Sequence, residues 1–134
     1  MNFEVTHVAP TPSEYFVLRL KSGMNARELA AAEIGLKNSL FAISIRNDGT
    51  LIGMGRLVGD GGCHVQVVDI AVDPDFQGQK LGSLIMKEIM AYVKSSLPPS
   101  CLVNLFADVS FLYEKYGFAP PKKSQGMFLD RSKI

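Results

Sequence analysis

Alternating hydrophobic and polar positions predict an antiparallel sheet in the first half of the chain. Residues 2–8 alternate well enough for a first strand. Leu40–Arg46 and Thr50–Val58 form two further predicted strands around an Asn-Asp-Gly turn at 47–49, whose residue types tolerate positive φ. After a second, glycine-rich turn comes Cys63–Val72, the run with the highest β propensity. Three antiparallel strands in succession are therefore predicted after the first.

Two glycines, Gly53 and Gly55, lie inside the predicted strand Thr50–Val58. A glycine in a strand interior often marks a bulge or a point where another part of the chain comes close. We therefore expect one of these two features rather than a smoothly packed strand.

Helical spacing and capping residues predict two helices between the first two strands. Ser13 can cap a helix from Glu14 to about Lys21, after which Gly23 ends it. Asn25 can cap the next, Ala26–Asn38, with an apolar stripe of Leu29, Ala32, Ile34 and Leu36.

The second half of the chain begins with a helical pattern from Lys80 to about Ser96, closed by two prolines. A strand at Cys101–Ala107 follows, and then a short helix that Asp108 can cap and that ends near Gly117. Phe118 opens a further strand, and Met127–Leu129 is the predicted last edge strand. The order β-α-α-β-β-β-α-β-α-β-β predicts a mixed α/β (α+β) fold, with one domain spanning residues 1–134.

Composition supports a globular fold and limits the partners. The chain has 134 residues, of which 47% are hydrophobic and 20% are charged, so it can build a core and is not typical of disordered chains. The 14 basic and 13 acidic residues leave a net charge of +1, which argues against a nucleic acid or an anionic membrane as partner. The sequence shows no signal peptide and no apolar run of about 20 residues. We expect a cytoplasmic location.

The two cysteines, Cys63 and Cys101, are too few for a disulfide framework and lack Cys-x-x-Cys spacing. Both have apolar neighbours. Buried, reduced thiols are therefore expected.

The segment between the predicted strand ending at Val72 and the helix from Lys80 is the most informative for function. A glycine-containing loop that leads from a strand into a helix directs unpaired backbone N–H groups at the positive end of the helix dipole. Such a site can bind phosphate without net positive charge. The loop matches neither the Walker pattern nor the Gly-x-Gly-x-x-Gly of a dinucleotide-binding fold.

Two motifs in this sequence resemble those of the GCN5-related N-acetyltransferases, the GNAT family. The run from Asp69 to Met86 resembles the segment whose loop reads Gln/Arg-x-x-Gly-x-Gly/Ala at the start of the central helix; Gln77 and Gly82 match, while Lys80 stands where the middle glycine is usual. Downstream, Tyr113-Glu114-Lys115-Tyr116-Gly117-Phe118 resembles the family's Tyr-Glu-Lys-x-Gly-Phe signature. The element order agrees with the family over nearly the whole chain. The resemblance implies a mostly antiparallel, twisted sheet flanked by helices.

The resemblance also implies acetyl-CoA as donor, without a metal, and assigns residues to its binding. The backbone of Ile70, Ala71 and Val72 would meet the pantetheine arm. The amides of the loop would hold the pyrophosphate; its residues are Gln77, Gly78, Gln79, Lys80, Leu81 and Gly82. Lys80 restricts the positive φ that glycine allows there, but its ammonium group could reach a phosphate.

Tyr113 matches the family's general acid, which protonates the leaving CoA thiolate. The alternative is a core tyrosine with its hydroxyl satisfied locally, and Tyr116 is the second candidate. The asparagine that many relatives carry before this tyrosine is replaced by Phe106, and Asn104 lies out of register.

The base that would remove the amine proton is not identified by the sequence. Gln66 cannot serve, and His64 carries a side chain that can take a proton near neutral pH, although a histidine near a turn is more often simply exposed. For Asp69, a structural role that orients backbone amides is favoured over base chemistry. Transfer of the amine proton through water is compatible with each of these interpretations of Gln66, His64 and Asp69.

The pocket for the acceptor amine has candidate lining residues of its own. These are Met24, Phe41, Arg56, Phe111 and Met127, and the segment Pro120–Met127 could border the pocket.

The sequence therefore predicts an acetyl-CoA-dependent N-acetyltransferase that acts on a primary amine of a small molecule by direct transfer. The alternative is a CoA-binding or regulatory module of the same fold with impaired turnover, and a CoA-independent scaffold is the third interpretation. The resemblance allows a homodimer.

Overall fold

Five strands form one sheet in the order β1-β2-β3-β4-β5. The computed structural model describes residues 2–108 and 111–134. The first four strands pair antiparallel in succession, and β5 pairs parallel with β4. The strands are β1 (Phe3–Thr6), β2 (Phe41–Asn47), β3 (Thr50–Gly59), β4 (His64–Val72) and β5 (Leu102–Asn104). The predicted mixed α/β fold with a mostly antiparallel sheet is confirmed.

Helices cover both faces of this sheet. They are α1 (Pro12–Lys21), α2 (Leu29–Lys37), α3 (Leu81–Ser96) and α4 (Phe111–Glu114), with single 3-10 turns at Pro74–Phe76 and Arg131–Lys133. Within the described ranges, none of the helices has both the length and the apolar character needed to cross a bilayer.

Two apolar cores lie on opposite faces of the sheet. The larger one joins α3 to the sheet through Leu81, Ile85, Met86 and Ile89, which pack on Ile43, Ile45, Ile52, Leu57, Val65 and Val67. The smaller one joins α1 and α2 to the other face through Tyr15, Leu18, Ala32 and Leu36, which pack on Leu51, Met54 and Ala71. Burial of these side chains is the main favourable contribution to folding.

Both N-terminal helices start at residues other than those predicted. Thr11, not Ser13, caps α1: its hydroxyl accepts from the Glu14 amide, and the Glu14 carboxylate accepts from the Thr11 amide. With this reciprocal capping box the helix begins at Pro12, two residues before the predicted start at Glu14. The second helix begins at Leu29 without a side-chain cap. Residues 25–28, which precede it, run as a loop, and the carbonyl of Asn25 accepts a hydrogen bond from Arg19 Nε at 2.8 Å.

The two last predicted strands are wrong for the described residues. From Phe118 onward the chain forms no strand, and Met127, Phe128 and Leu129 are 87%, 79% and 68% exposed. Without a buried face, these apolar residues have no packing that would hold them in the sheet. Strand β5 is also shorter than predicted, because its pairing with β4 ends at Asn104. Residues 109–110, where the helix capped by Asp108 was expected to begin, lie outside the described residues.

The cysteines are free thiols, but the prediction that they are buried is wrong. Cys63 is exposed and Cys101 is half-buried. Each residue precedes its strand instead of lying within it. Cys101 still packs against the larger core, whereas Cys63 does not take part in it.

Both features expected around Gly53 and Gly55 are present. The β3–β4 register shifts between Met54 and Arg56. A Cβ atom on Gly55 would lie 2.7 Å from Ile70 Cδ1 and 2.7 Å from Ile85 Cγ2, whereas one on Gly53 would meet its nearest neighbour, Ile45, at 3.4 Å. The missing side chain of Gly55 therefore lets α3 and β4 pack closely at the bulge.

We expect Gly55→Ala to lower the free energy of unfolding by about 1–3 kcal/mol, because the added methyl group overpacks this contact. Gly53→Ala is the matched control in the same strand and should change stability much less. Urea denaturation of both variants measures the difference. Equal losses would show that the Gly55 contact can relax.

Candidate functional site

Strands β4 and β5 pair over a short distance and then separate. Their parallel register runs from His64 opposite Leu102 to Gln66 opposite Asn104. Beyond Gln66, the rest of β4 has no β5 partner in the described part of the chain, although it still pairs with β3 on its other side. Backbone N–H and C=O groups on this open edge are available to a ligand that can form amide-type hydrogen bonds.

A bulge in β4 changes which side chains face α3. Asp69 and Ile70 lie together opposite the single residue Gly55, and Asp69 has a left-handed backbone with φ of 59°. Before the bulge Val67 packs on the α3 side, and after it Ile70 does so, so the alternation shifts by one residue.

The side chain of Asp69 points to the opposite face, where it is only 8% exposed. It accepts hydrogen bonds from Arg19 Nη1 at 2.6 Å, Arg56 Nε at 2.7 Å and the Tyr15 hydroxyl at 3.0 Å. Burial, together with the negative charge of Asp69, raises the pKa of Tyr15 above its usual 10.0, so this hydroxyl stays protonated as a donor.

The loop that follows β4 directs free amides into a cleft. Gly78 and Lys80 both have left-handed backbones, with φ of 82° and 64°. Lys80 therefore adopts the conformation that glycine would take there in spite of its Cβ atom. No side chain caps the N-terminus of α3, and its first helical hydrogen bond is donated by Leu84 to the Lys80 carbonyl. The amides of 81–83 consequently have no intrahelical acceptor.

This cleft, of about 500 Å³, brings together most of the predicted donor-site residues. It is lined by Ile70, Ala71, Val72, Gln77, Gly78, Lys80, Leu81, Gly82 and Tyr113, and also by Ser83, Phe111 and Leu112. Gln79, which was also predicted, is not among the lining residues. The contributions of Ser83 and Leu112 were missed, although their places in the first turn of α3 and beside Tyr113 could have suggested them.

The two candidate tyrosines differ in their surroundings. The Tyr116 hydroxyl donates to the Ser83 carbonyl at 3.1 Å. The Tyr113 hydroxyl has no hydrogen-bond partner among residues 2–108 and 111–134, and Tyr113 lines the cleft. Burial, and to a lesser extent the charge of Asp108, raises the pKa of Tyr113 above 10.0. At neutral pH this phenol is therefore a proton donor.

A second cleft, of about 380 Å³, lies where β4 and β5 begin to separate. Its lining includes the polar side chains of His64, Gln66 and Asn104 together with Phe106. His64 is exposed, as the sequence indicated. Asn104 does not match the position of the family's asparagine in the sequence. In the sheet it lies directly opposite Gln66.

The candidate acceptor-lining residues do not form one group. Phe41 stacks on Tyr92 of α3, with ring centroids 4.7 Å apart, Arg56 is held by Asp69, and Phe111 lines the larger cleft. Met127 is 87% exposed, and Met24 packs against the smaller core. Within the described residues, no group of three or more His, Cys, Asp and Glu side chains could hold a metal ion.

Comparison with known proteins gives a consistent result. The family described as "Acetyltransferase (GNAT) domain" matches residues 38–120, more than half of the chain. A solved structure from meticillin-resistant Staphylococcus aureus, described as a probable acetyltransferase, is 45% identical with a TM-score of 0.91, and the match covers 96% of this chain and 99% of that one.

Two further relatives extend the comparison. The uncharacterized N-acetyltransferase ycf52 of Porphyra purpurea is 34% identical over 113 residues, which cover 79% of this chain and 64% of that protein. The chain thus spans less than two thirds of that relative's length. A GNAT family acetyltransferase from Brucella melitensis, solved in complex with acetyl-CoA, is 16% identical with a TM-score of 0.67, covering 89% of this chain and 84% of that one. That similarity concerns the fold.

The left-handed backbone at Lys80 can be tested by stability. A residue with a Cβ atom in this conformation costs about 1–2 kcal/mol, so Lys80→Gly should leave the protein as stable as the wild type or more stable. A β-branched residue tolerates this region worst, so Lys80→Val should destabilise it. Urea denaturation without ligand measures both, and a Lys80→Val variant with wild-type stability would contradict the expectation.

Proposed function

The chain belongs to the GNAT acetyltransferase family, and on this premise we propose that it transfers the acetyl group of acetyl-CoA to a primary amine of a small molecule. The observation that carries the proposal is the larger cleft. There the open edge of β4, the uncapped start of α3 and the Tyr113 hydroxyl meet. The open strand edge would bind an amide-containing chain, and the start of the helix would bind an anion. The tyrosine hydroxyl would donate a proton to a leaving group.

The start of α3 fits the pyrophosphate of acetyl-CoA. The free amides of 81–83 lie at the positive end of a 16-residue helix, where an anion is stabilised by the helix dipole and by direct N–H donation. Gly82 leaves this approach unobstructed, and Lys80 at the rim adds a positive charge. In our proposal Gln77–Gly82 hold the phosphates.

The open edge of β4 fits the pantetheine arm, which contains amide groups. In our proposal the backbone of Ile70–Val72 pairs with these amides as a strand would. Because β5 has already diverged, the arm would take the place that a continuing β5 would have occupied. The thioester would then lie close to the bulge.

Acetyl-CoA supplies an activated acetyl group when it is bound. The neutral amine attacks the carbonyl carbon of the thioester, and a backbone N–H of β4 polarises the carbonyl oxygen. As the new C–N bond forms, the C–S bond would break and its electron pair would go to the sulfur, where Tyr113 would donate its proton. The raised pKa of Tyr113 supports this assignment, since the phenol must be protonated to act as an acid.

The acceptor amine is proposed to enter through the smaller cleft. Its polar side chains, Gln66, Asn104 and His64, suit a small polar molecule, and its position at the β4–β5 divergence leads towards the thioester. His64 or a chain of water molecules would accept the ammonium proton. A single domain over residues 1–134, a cytoplasmic location and a homodimer stay predictions.

Thiol release from acetyl-CoA in the presence of a panel of primary amines tests the proposal. Turnover with a small amine supports it. Binding of acetyl-CoA without turnover on any amine would favour the alternative, a CoA-binding module that has lost catalysis.

We expect Gly82→Val to weaken acetyl-CoA binding by about tenfold or more, because a branched side chain at the first turn of α3 obstructs the approach to the amides. Gly82→Ala is the matched control: its Cβ would lie 3.6 Å from Leu112 Cδ2, an ordinary contact, and binding should change little. Isothermal titration calorimetry measures both affinities. Unchanged affinity in the valine variant would refute the loop assignment.

We expect Tyr113→Phe to lower kcat by about 100-fold, the lower range for loss of a general acid, with a smaller effect on acetyl-CoA affinity. Tyr116→Phe is the control; it removes the bond to the Ser83 carbonyl and should cost about 1 kcal/mol of stability while turnover is largely kept. Steady-state kinetics and urea denaturation separate the two effects. A Tyr113→Phe variant that turns over at the wild-type rate would defeat the assignment.

A further inference from the structure

In the proposed function the thioester lies beside strand β4. A buried cluster of charged side chains anchors this strand on the face of the sheet opposite α3. Arg19, Arg56 and Asp69 have side chains that are 4%, 13% and 8% exposed. The two guanidinium groups also lie over the ring of Tyr15, at 5.6 Å and 5.8 Å from its centroid. A buried carboxylate with three donors in good geometry is strongly held, since losing one partner leaves a charge without compensation.

The partners of Asp69 come from separate parts of the fold. Tyr15 and Arg19 belong to α1, and Arg56 belongs to β3. Arg56 Nη1 also donates to the Gly35 carbonyl and to the Ser39 hydroxyl, both at 3.0 Å. One carboxylate thus connects the bulge of β4 to α1, to β3 and, through Arg56, to the end of α2.

A second contact anchors the other end of the same segment. The buried Asp73, directly after β4, accepts from Lys21 Nζ at 3.3 Å and from the Asp75 amide at 3.0 Å. Lys21, like Arg19, belongs to α1. Helix α1 therefore contacts both ends of the segment 69–73, whose middle, Ile70–Val72, lines the larger cleft.

The segment needs such support because it lacks support from β5. Its edge towards β5 is unpaired in the described residues, and its first residue is in a left-handed conformation that most side chains avoid. Pairing with β3 shifts register at this point. The direction of the Ile70–Val72 amides consequently depends on what holds Asp69.

We propose that Asp69 is a positioning residue for the acetyl donor: held by Arg19, Arg56 and Tyr15, it sets the bulge that aims the backbone of Ile70–Val72 at the thioester and pantetheine arm. This inference rests on the proposed function. The same contacts couple the donor strand to α1 and α2, so that disturbing those helices changes donor binding.

Three conservative variants test the proposal. Tyr15→Phe keeps the ring and removes one donor, Arg56→Lys keeps the charge and removes the guanidinium geometry, and Asp69→Asn keeps the size and the tolerance of positive φ but removes the charge. Glu14→Gln is the matched control. Glu14 also ties α1 to the sheet through an ion pair, with Arg46 of β2. Among the described residues its side-chain hydrogen bonds and its ion pair go to Thr11 and Arg46 and none goes to β4, and glutamine can preserve the capping box.

Two measurements separate positioning from general stability. Hydrogen exchange, followed by NMR, compares the β4 amides of 70–72 with the amides of β2 in the same sample. Calorimetry and steady-state kinetics give the acetyl-CoA affinity, kcat and the KM for the amine. In Tyr15→Phe and Arg56→Lys we expect roughly tenfold faster exchange at 70–72 alone and roughly tenfold lower kcat, with the amine KM unchanged. In Glu14→Gln neither should change.

The outcomes are distinguishable. If exchange and kcat in Tyr15→Phe and Arg56→Lys stay unchanged, as expected for Glu14→Gln, the positioning role is wrong. It is also wrong if exchange changes evenly over β2 and β4 while kcat is kept. If Asp69→Asn fails to fold, the other two variants still decide. If the wild-type protein does not bind acetyl-CoA at all, the proposed function fails, while the exchange data continue to show whether the cluster holds the bulge.

Discussion

The carboxylate of Asp69 lies between two guanidinium groups, while its own backbone is in a left-handed conformation at the bulge of β4. These two properties depend on each other. Without the ion pairs a left-handed residue at an open edge would be free to relax, and without the bulge the carboxylate would not reach both arginines. The bulge also shifts the alternation of β4, so that Ile70 packs against α3 beside Gly55.

The larger cleft contains backbone polar groups that have no partner among the residues that the structure describes. Strand β4 loses β5 after Gln66, and α3 begins without a cap at Lys80. Unsatisfied backbone groups are costly when buried, so both lie at a cleft where a ligand or water can satisfy them. In the proposed function these groups bind the amides and phosphates of acetyl-CoA.

Local patterns predicted much of the fold. Alternation and the Asn-Asp-Gly turn identified β2 and β3 within one residue at each end, because these signals depend on neighbouring residues and on a buried face. The capping of α1 by Thr11 was missed, since Ser13 is an equally good cap by residue type and only the helix geometry distinguishes the two. The strand at Met127–Leu129 was wrong, because a suitable composition does not form a strand without a face on which to pack.

The sequence by itself determined the element order from β1 to α4, and it identified the loop from Gln77 to Gly82 and Tyr113 as candidate site residues. All of these lie in short, contiguous patterns. Tertiary structure alone decided that Lys80 takes the backbone of a glycine and that Asp69 binds Arg19, 50 residues away in the chain. The physical reason is that an ion pair between distant residues depends on how helix and strand pack together. No local periodicity carries that information.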